Sequence, residues 1–151
     1  MRTFSITQIA EMSSLTIGQI EQAFSRHELS VRGKVGKNRA REFLAEDAFS
    51  FCIIGEMRKL GIDWKRIVGS TAHPWPVADV LDGNQFFLLT PMSDGYLDFS
   101  VTTASKILRN LRAYKASGAI LIDGGAIARR IEAFAKRTKP APPGDVEWAR
   151  T

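Results

Sequence analysis

Two capping boxes near the start of the chain mark where helices begin. In each box a Ser or Thr side chain and a Gln three positions later satisfy each other's free backbone N–H group. The pairs are Ser5 with Gln8 and Thr16 with Gln19. The pattern predicts helices near 6–12 and 17–26, separated only by the turn at 13–15. This connection is typical of a DNA-binding helix-turn-helix, and also of any other helical hairpin.

The next segment is basic and interrupted by glycine. Gly33 and Gly36 break any helix between 30 and 43, and the apolar residues there favour short strands, so we predict a two-stranded wing. Those apolar residues are Val31, Val35 and Phe43. Between residues 26 and 41 there are six basic residues and one acid, Glu28. The six are Arg26, Arg32, Lys34, Lys37, Arg39 and Arg41.

A longer helix is predicted after the wing. It runs from about Ala45 to Leu60, where Gly61 ends it, and Asp63 then caps a short helix that reaches Val68. One apolar stripe is expected on the long helix. Its members are Ala48, Phe51, Cys52, Ile54 and Met57.

The second half of the chain has a different pattern. Pro74 and Pro76 forbid a regular helix and predict an extended connector. Beyond it, two apolar runs flank a turn at 90–95 and predict a β-hairpin in which Leu97, Phe99 and Val101 alternate with polar neighbours.

A helix capped by Thr102 or Thr103 should follow the hairpin and run to Lys115. Its predicted inward face consists of Ala104, Ile107, Leu108, Leu111 and Tyr114. The basic residues elsewhere on it are expected to be solvated, with a contact to DNA outside the main site as the alternative. They are Lys106, Arg109, Arg112 and Lys115. A strand at 119–123, a capped turn at 123–125 and a last helix over about 126–136 complete the pattern.

The fold expected from these elements is mainly α with a small β part. An N-terminal winged helix-turn-helix would occupy residues 1–70, and a small C-terminal α+β domain for dimerisation or sensing would occupy residues 85–136. A proline-containing connector at 71–84 would join them, and residues 137–151 would form a flexible tail. We expect residues 1–70 to fold alone.

Composition adds few constraints. The net charge of +5 suits a polyanionic partner. The single Cys52 lies in an apolar run and is expected to be a small buried hydrophobe, and neither His27 nor His73 has a second ligand at metal-binding spacing. No export signal, membrane span, cofactor motif or catalytic constellation is recognisable. A cytoplasmic, nucleoid-associated protein without enzymatic activity is therefore expected.

From Phe4 to Ile67 the order of elements resembles the MerR family of transcription regulators. The wing sequence from Asn38 to Phe43 is similar to the wing motif of that family, with Arg41 in its arginine place. The third helix matches the family's spacing best. The matching residues there are Asp47, Phe51, Ile54, Met57, Arg58, Leu60, Gly61 and Ile67. Helix two departs from the family, because Glu21, Gln22 and Ala23 stand where an Arg followed by aromatic residues is usual.

The resemblance and the charge pattern together predict contacts with double-stranded DNA. Helix two would offer side chains to base edges, and the wing would offer cations to phosphates or to a minor groove. The predicted DNA-binding residues are Thr16, Gln19, Gln22, Arg26, Arg32, Lys34, Lys37, Asn38, Arg39 and Arg41. Thr16 and Gln19 have an alternative role, since both can be occupied by helix capping.

The function expected is that of a sequence-specific transcription regulator that binds an inverted repeat as a homodimer. Dimer contacts would come from residues 85–136, through the Phe86-Phe87 hairpin or the helices. An architectural DNA binder, such as a recombination directionality factor of a phage or mobile element, is the first alternative. A protein-interaction module that antagonises another regulator is the second, and Glu21 and the missing aromatic residues motivate it. No effector can be named.

Overall fold

The structure is a computed structural model, and it describes residues 2–26, 34–35, 41–71, 85–95, 97–115 and 118–139. Helices and strands are mixed in both halves of the chain, and the described strands form two three-stranded sheets. The coarse expectation of helices combined with a smaller β component is therefore confirmed.

The described residues of the first half form four helices and one sheet. The helices are α1 (Ile6–Ser13), α2 (Ile17–Arg26), α3 (Ala45–Lys59) and α4 (Trp64–Thr71). The strands are β1 (Thr3–Ser5), β2 (Lys34–Val35) and β3 (Arg41–Leu44). The helix positions predicted from the capping boxes and from Gly61 are confirmed to within a few residues.

Both predicted capping boxes are present. The Ser5 hydroxyl accepts from the Gln8 N–H at 3.2 Å, and the Gln8 side chain accepts from the Ser5 N–H at 3.0 Å. Thr16 and Gln19 exchange the equivalent pair at 3.0 and 2.9 Å. Between the helices, Ser14 has a left-handed φ of 60°, and this conformation reverses the chain within three residues. The tight turn is thus built from local hydrogen bonds.

The first sheet has the order β1-β3-β2 and is antiparallel throughout. Strand β1 pairs Phe4 with Phe43, and both rings are fully buried. The sequence predicted the two wing strands but not β1, because its three residues are too few for a periodic pattern. Val31, which the sequence offered to the wing, lies outside the described residues.

The second half contains a sheet of the order β5-β4-β6 with helices after two of its strands. The strands are β4 (Gln85–Pro91), β5 (Leu97–Thr103) and β6 (Ile120–Asp123). After β5 come a 3₁₀ turn (Ala104–Lys106) and α5 (Ile107–Ala113), and after β6 comes α6 (Gly124–Arg137). The predicted hairpin, last strand and last helix are confirmed, and Asp123 caps α6 by accepting from the Ala126 N–H at 3.0 Å.

The predicted inward face of α5 is confirmed for Ile107 and Leu111, which are half-buried, and wrong for its other three members. Leu108 is 65% exposed and Tyr114 is 46% exposed, and Ala104 is exposed as well. The reason is that Thr102 and Thr103 continue the pairing of β5 with β4, so the α-helix begins only at Ile107 and lies at the surface. The alternation predicted for β5 agrees with the packing, because Leu97, Phe99 and Val101 pack against the hydrophobic core. Residues 97–101 are nevertheless all half-buried.

One hydrophobic core spans both halves of the described chain. The rings of Phe49 on α3 and Phe87 on β4 lie 5.7 Å apart, and those of Phe4 on β1 and Phe134 on α6 lie 6.4 Å apart. Helix α3 is accordingly buried nearly all round, beyond the single stripe predicted for it. Phe87 is fully buried within the chain, which corrects the expectation that it forms a dimer contact.

The predicted domain boundary, 71–84, lies outside the described residues except for Thr71. The first residues of the predicted tail are part of the described fold, because Arg137 still belongs to α6 and Thr138 accepts from an Arg2 Nη at 2.7 Å. The rest of that tail, 140–151, lies outside the described residues. None of the described helices is long and apolar enough to cross a membrane.

Candidate nucleic-acid interface

Helix α2 has one buried side and one exposed side that is mostly polar, although Ile17 at its start is 40% exposed. Ile20 and Ala23 are completely buried and fix the inward direction. Gly18, Glu21 and Gln22 point away from the core and are exposed. This is the distribution that a helix needs if its outer face is to enter a groove of DNA, because the helix must be anchored on one side and free of apolar cover on the other.

Thr16 and Gln19 serve helix capping, as one of the two sequence interpretations foresaw. The Oε1 atom of Gln19 accepts from the Thr16 N–H at 2.9 Å. A Gln that reads adenine in the major groove uses the same oxygen to accept from the base amino group while its Nε2 donates to N7. Capping therefore competes with bidentate reading of adenine, because the bond from the Thr16 N–H holds the Gln19 amide against its own helix. Thr16 is exposed, but its hydroxyl oxygen already accepts from the Gln19 N–H at 3.0 Å.

Gln22 lies about one turn further along the exposed side of α2 and has no part in the capping box. Among the described side chains of the four residues predicted to face DNA from this helix, Gln22 is exposed and lies outside the capping box. Arg26 ends α2, but its side chain lies outside the described residues.

Strands β2 and β3 pair with each other within and at the end of the basic segment. Lys34 is opposite Glu42 and Val35 is opposite Arg41 in the antiparallel register, while Glu42 itself is buried. The side chains of Lys34 and Arg41 lie outside the described residues. The remaining predicted wing residues lie outside them entirely. They are Arg32, Lys37, Asn38 and Arg39.

Two other helices, α3 and α6, contact the end of α1 just before its turn into α2. Gly55 of α3 crosses the carbonyl of Ser13 so closely that an added Cβ would collide with the carbonyl oxygen. Arg130 of α6 donates to the Met12 carbonyl oxygen at 3.4 Å and to Glu56 Oε1 at 3.2 Å. A glycine inside an apolar helix is a sequence signal for such a close approach. Nothing in the sequence indicates the partners of Arg130, because Met12 lies 118 positions away.

Three residues that carry the MerR resemblance have structural roles. Asp47 accepts from the Leu44 N–H at 2.9 Å and caps α3. Arg58 donates to the Ile62 carbonyl oxygen at 3.0 Å, and its guanidinium lies 5.4 Å from the centre of the Trp64 ring. Gly61 has a φ of 80°, which a side chain disfavours. Arg58 and Gly61 lie at the corner between α3 and α4, whereas Asp47 lies at the start of α3.

Cys52 lies on α3 and is fully buried. Burial raises the pKa of its thiol to about 12, although the neighbouring Arg130 guanidinium lowers the pKa in part. A thiol in this state is protonated at neutral pH and a poor nucleophile. The expectation of a small buried hydrophobe is therefore confirmed. Both histidines, His27 and His73, lie outside the described residues.

A scan against protein-family models finds no match to this chain, and a search of curated proteins finds none either. Any function proposed for it must therefore come from its own residues and their geometry.

Proposed function

We propose that the protein is a sequence-specific DNA-binding regulator that uses α2 as its recognition helix and the β2–β3 segment as a wing. The observation that carries the proposal is the polar outer side of α2, presented from a tightly capped turn and followed at once by an antiparallel strand pair in a basic segment. A short capped turn fixes the angle between two helices, and groove recognition depends on that angle.

The exposed side of α2 and the wing differ in charge, and this difference suggests different roles in DNA binding. The exposed side of α2 holds an uncharged Gln22 beside an acidic Glu21, so it contributes little attraction to phosphates. The wing segment, residues 30–43, holds five of the eleven Lys and Arg residues in the first 71 positions of the chain. Phosphate contacts supply most of the affinity, and contacts with base edges supply the specificity. We assign affinity to the wing and specificity to α2.

A homodimer on an inverted repeat belongs to the same proposal, because a single short recognition helix contacts only a few base pairs. Two linked copies convert the second contact into an intramolecular one, which can add about 10²-fold or more to affinity. Light scattering on the full chain, with and without a bound fragment, distinguishes a preformed dimer from assembly on DNA.

The exposed Glu21 favours a second candidate, a protein-interaction module. A carboxylate on the outer side of the candidate recognition helix is repelled by phosphates unless it accepts from a cytosine amino group. An acidic and polar helix surface suits a basic protein partner equally well.

An electrophoretic mobility shift with genomic fragments tests the proposal. At about 150 mM salt and with excess competitor DNA, the full chain should retain particular fragments, because a merely basic surface does not discriminate between sequences. Gln22→Ala should remove this preference, while Ser50→Ala, which changes an uncharged polar residue on α3, should keep it. If no fragment is retained, the interaction module is favoured. Retained fragments from promoters indicate regulation, and clustered sites at a recombination attachment region indicate the architectural alternative.

A further inference from the structure

Helix α5 presents a basic surface that the fold does not use. The half-buried residues Ile107, Asn110 and Leu111 face the protein, and Asn110 Nδ2 donates to the Thr102 hydroxyl at 2.6 Å. The basic residues on and next to the helix are exposed. They are Lys106, Arg109, Arg112 and Lys115, and together with the exposed Leu108 we call them the α5 surface. The helix is thus anchored along one side and leaves its cations in solvent.

The cations of the α5 surface have no acidic partners among the residues that the structure describes. Several basic side chains on other helices do, since Lys59, Arg66 and Arg137 each lie within 4.0 Å of a carboxylate oxygen. The sequence explains the difference, because no Asp or Glu occurs between Asp98 and Asp123. A surface of four neighbouring positive charges without counter-charges creates a potential that attracts a polyanion.

We propose that the α5 surface binds the sugar–phosphate backbone of DNA at a place separate from the contacts of α2 and the wing. The inference rests on the proposed function and adds a second, sequence-independent contact to it. Arg109 and Arg112 lie on adjacent turns of the helix, which suits a ligand whose charge repeats along a line. The guanidinium groups can each donate two hydrogen bonds to one phosphate.

A membrane surface is the other polyanion that such a helix could meet, but the apolar residues do not favour it. Membrane-surface helices carry a continuous apolar face opposite their cations. Here Leu108 lies among the cations, and Tyr114 is rotated from it by roughly 120° around the helix axis. One exposed Leu can contact a deoxyribose, whereas it offers too little area to hold a helix in a bilayer.

The test compares two variants that remove the same charge. Arg109→Ala/Arg112→Ala changes the α5 surface, and Arg129→Ala/Lys136→Ala removes two exposed cations from α6. Binding of the full chain to a retained fragment and to an unrelated duplex is measured by fluorescence anisotropy across a salt series. The α5 variant should bind both duplexes roughly tenfold more weakly at about 150 mM salt, and its salt slope should fall by about two. The α6 variant should bind like the wild type.

Several outcomes overturn the inference. The first is an α5 variant that binds as tightly as the wild type. The second is an α6 variant that loses as much affinity as the α5 variant, because affinity would then depend only on the net charge of the protein. The wild type could instead bind phosphatidylserine vesicles in a manner abolished by the α5 substitutions while DNA binding is unchanged. If the wild type binds no DNA at all, the proposed function fails as well. Circular dichroism checks folding, and Arg109→Gln/Arg112→Gln replaces the alanine variant if that variant unfolds.

Discussion

Arg130 donates from Nη2 to the Glu56 Oε1 atom at 3.2 Å and thereby joins α6 to α3. Both side chains are partly exposed, Arg130 to 40% and Glu56 to 26%. Because the same guanidinium also reaches the last turn of α1 through the Met12 carbonyl, the pair connects the C-terminal helix to the helical turn near the N-terminus.

A double-mutant cycle measures this connection. Arg130→Ala and Glu56→Ala should each lower the free energy of unfolding, and their coupling should be about 0.5–1 kcal/mol, since solvent screens a partly exposed ion pair. The matched control is Lys59, which is more exposed and lies 3.2 Å from the same carboxylate. Its coupling to Glu56 should be smaller. Equal couplings in urea denaturation would mean that Arg130 is only a surface charge.

Gly55 is predicted to be the most sensitive glycine near the turn. Gly55→Ala should cost about 3 kcal/mol of unfolding free energy, because the new methyl group collides with the Ser13 backbone and forces α1 away from α3. Gly18→Ala is the control. Gly18 is also helical, and the nearest atom to an added Cβ is the Thr16 hydroxyl oxygen at 3.9 Å. That substitution should stabilise by about 0.5–1 kcal/mol. A Gly55→Ala protein with wild-type stability would contradict the close helix crossing.

Arg39→Ala and Arg41→Ala should each weaken DNA binding with little effect on the melting temperature. Each lost phosphate contact should lower the salt slope by about one. The Arg129→Ala/Lys136→Ala protein again serves as the charge-matched control for the double wing variant. Wild-type affinity in the double wing variant would refute a phosphate-binding wing. A lower melting temperature for Arg41→Ala alone would indicate that this residue pairs with a carboxylate of the fold.

The buried Cys52 thiol should make stability fall in alkaline solution. The thiol stays protonated in the folded chain because burial raises its pKa to about 12, but it ionises near 9.0 when the chain unfolds. The stabilising contribution is therefore complete below pH 9 and is lost as the pH rises toward 12. Between about pH 9 and 10 the wild type should lose about 1 kcal/mol more than Cys52→Ala.

Thermal unfolding of both proteins across this pH range is the measurement, and the variant corrects for the other groups that titrate there. Parallel pH profiles would show that the thiol is accessible to water in the folded state.

A fragment of residues 1–71 should be much less stable than the full chain. The sequence led us to expect that residues 1–70 fold alone, but the shared core favours the opposite result. The fragment loses the rings that cover Phe4 and Phe49, namely Phe134 and Phe87. Exposing such aromatic side chains costs several kcal/mol in total, by roughly 1.5–3 kcal/mol each. A cooperative thermal transition of the fragment near that of the full chain would show that the N-terminal half is an independent domain.

The sequence predicted local structure well and long-range packing poorly. Capping pairs such as Ser5 with Gln8 act over three residues, so their chemistry is visible in the printed order of residues. The burial of Phe49 could have been recognised, since a helix that is apolar on several sides needs cover on several sides. The exposure of Leu108 could not have been recognised from the sequence, because its spacing to other apolar residues fits a buried helix face. Leu108 is exposed because β5 extends to Thr103 and the α-helix begins only after it.

In the candidate interface, too, local features could be predicted from the sequence and long-range contacts could not. The capping role of Gln19 follows from its spacing to Thr16, and the structure gives the distances that make it compete with base reading. The support of the turn by Arg130 depends on a fold in which the last helix returns to the first, and no local pattern encodes that return.

The contact between Phe4 and Phe134 has a consequence for the order of events during synthesis. A ribosome releases β1 and α1 first, but their ring partner leaves only when α6 has been made. Contacts of such high sequence separation form late and slow the folding of a chain. A nascent chain paused before residue 124 would therefore expose Phe4 to chaperones instead of burying it under α6. Completion of the last helix, rather than of the first seventy residues, therefore sets the moment at which the ring of Phe134 can cover Phe4.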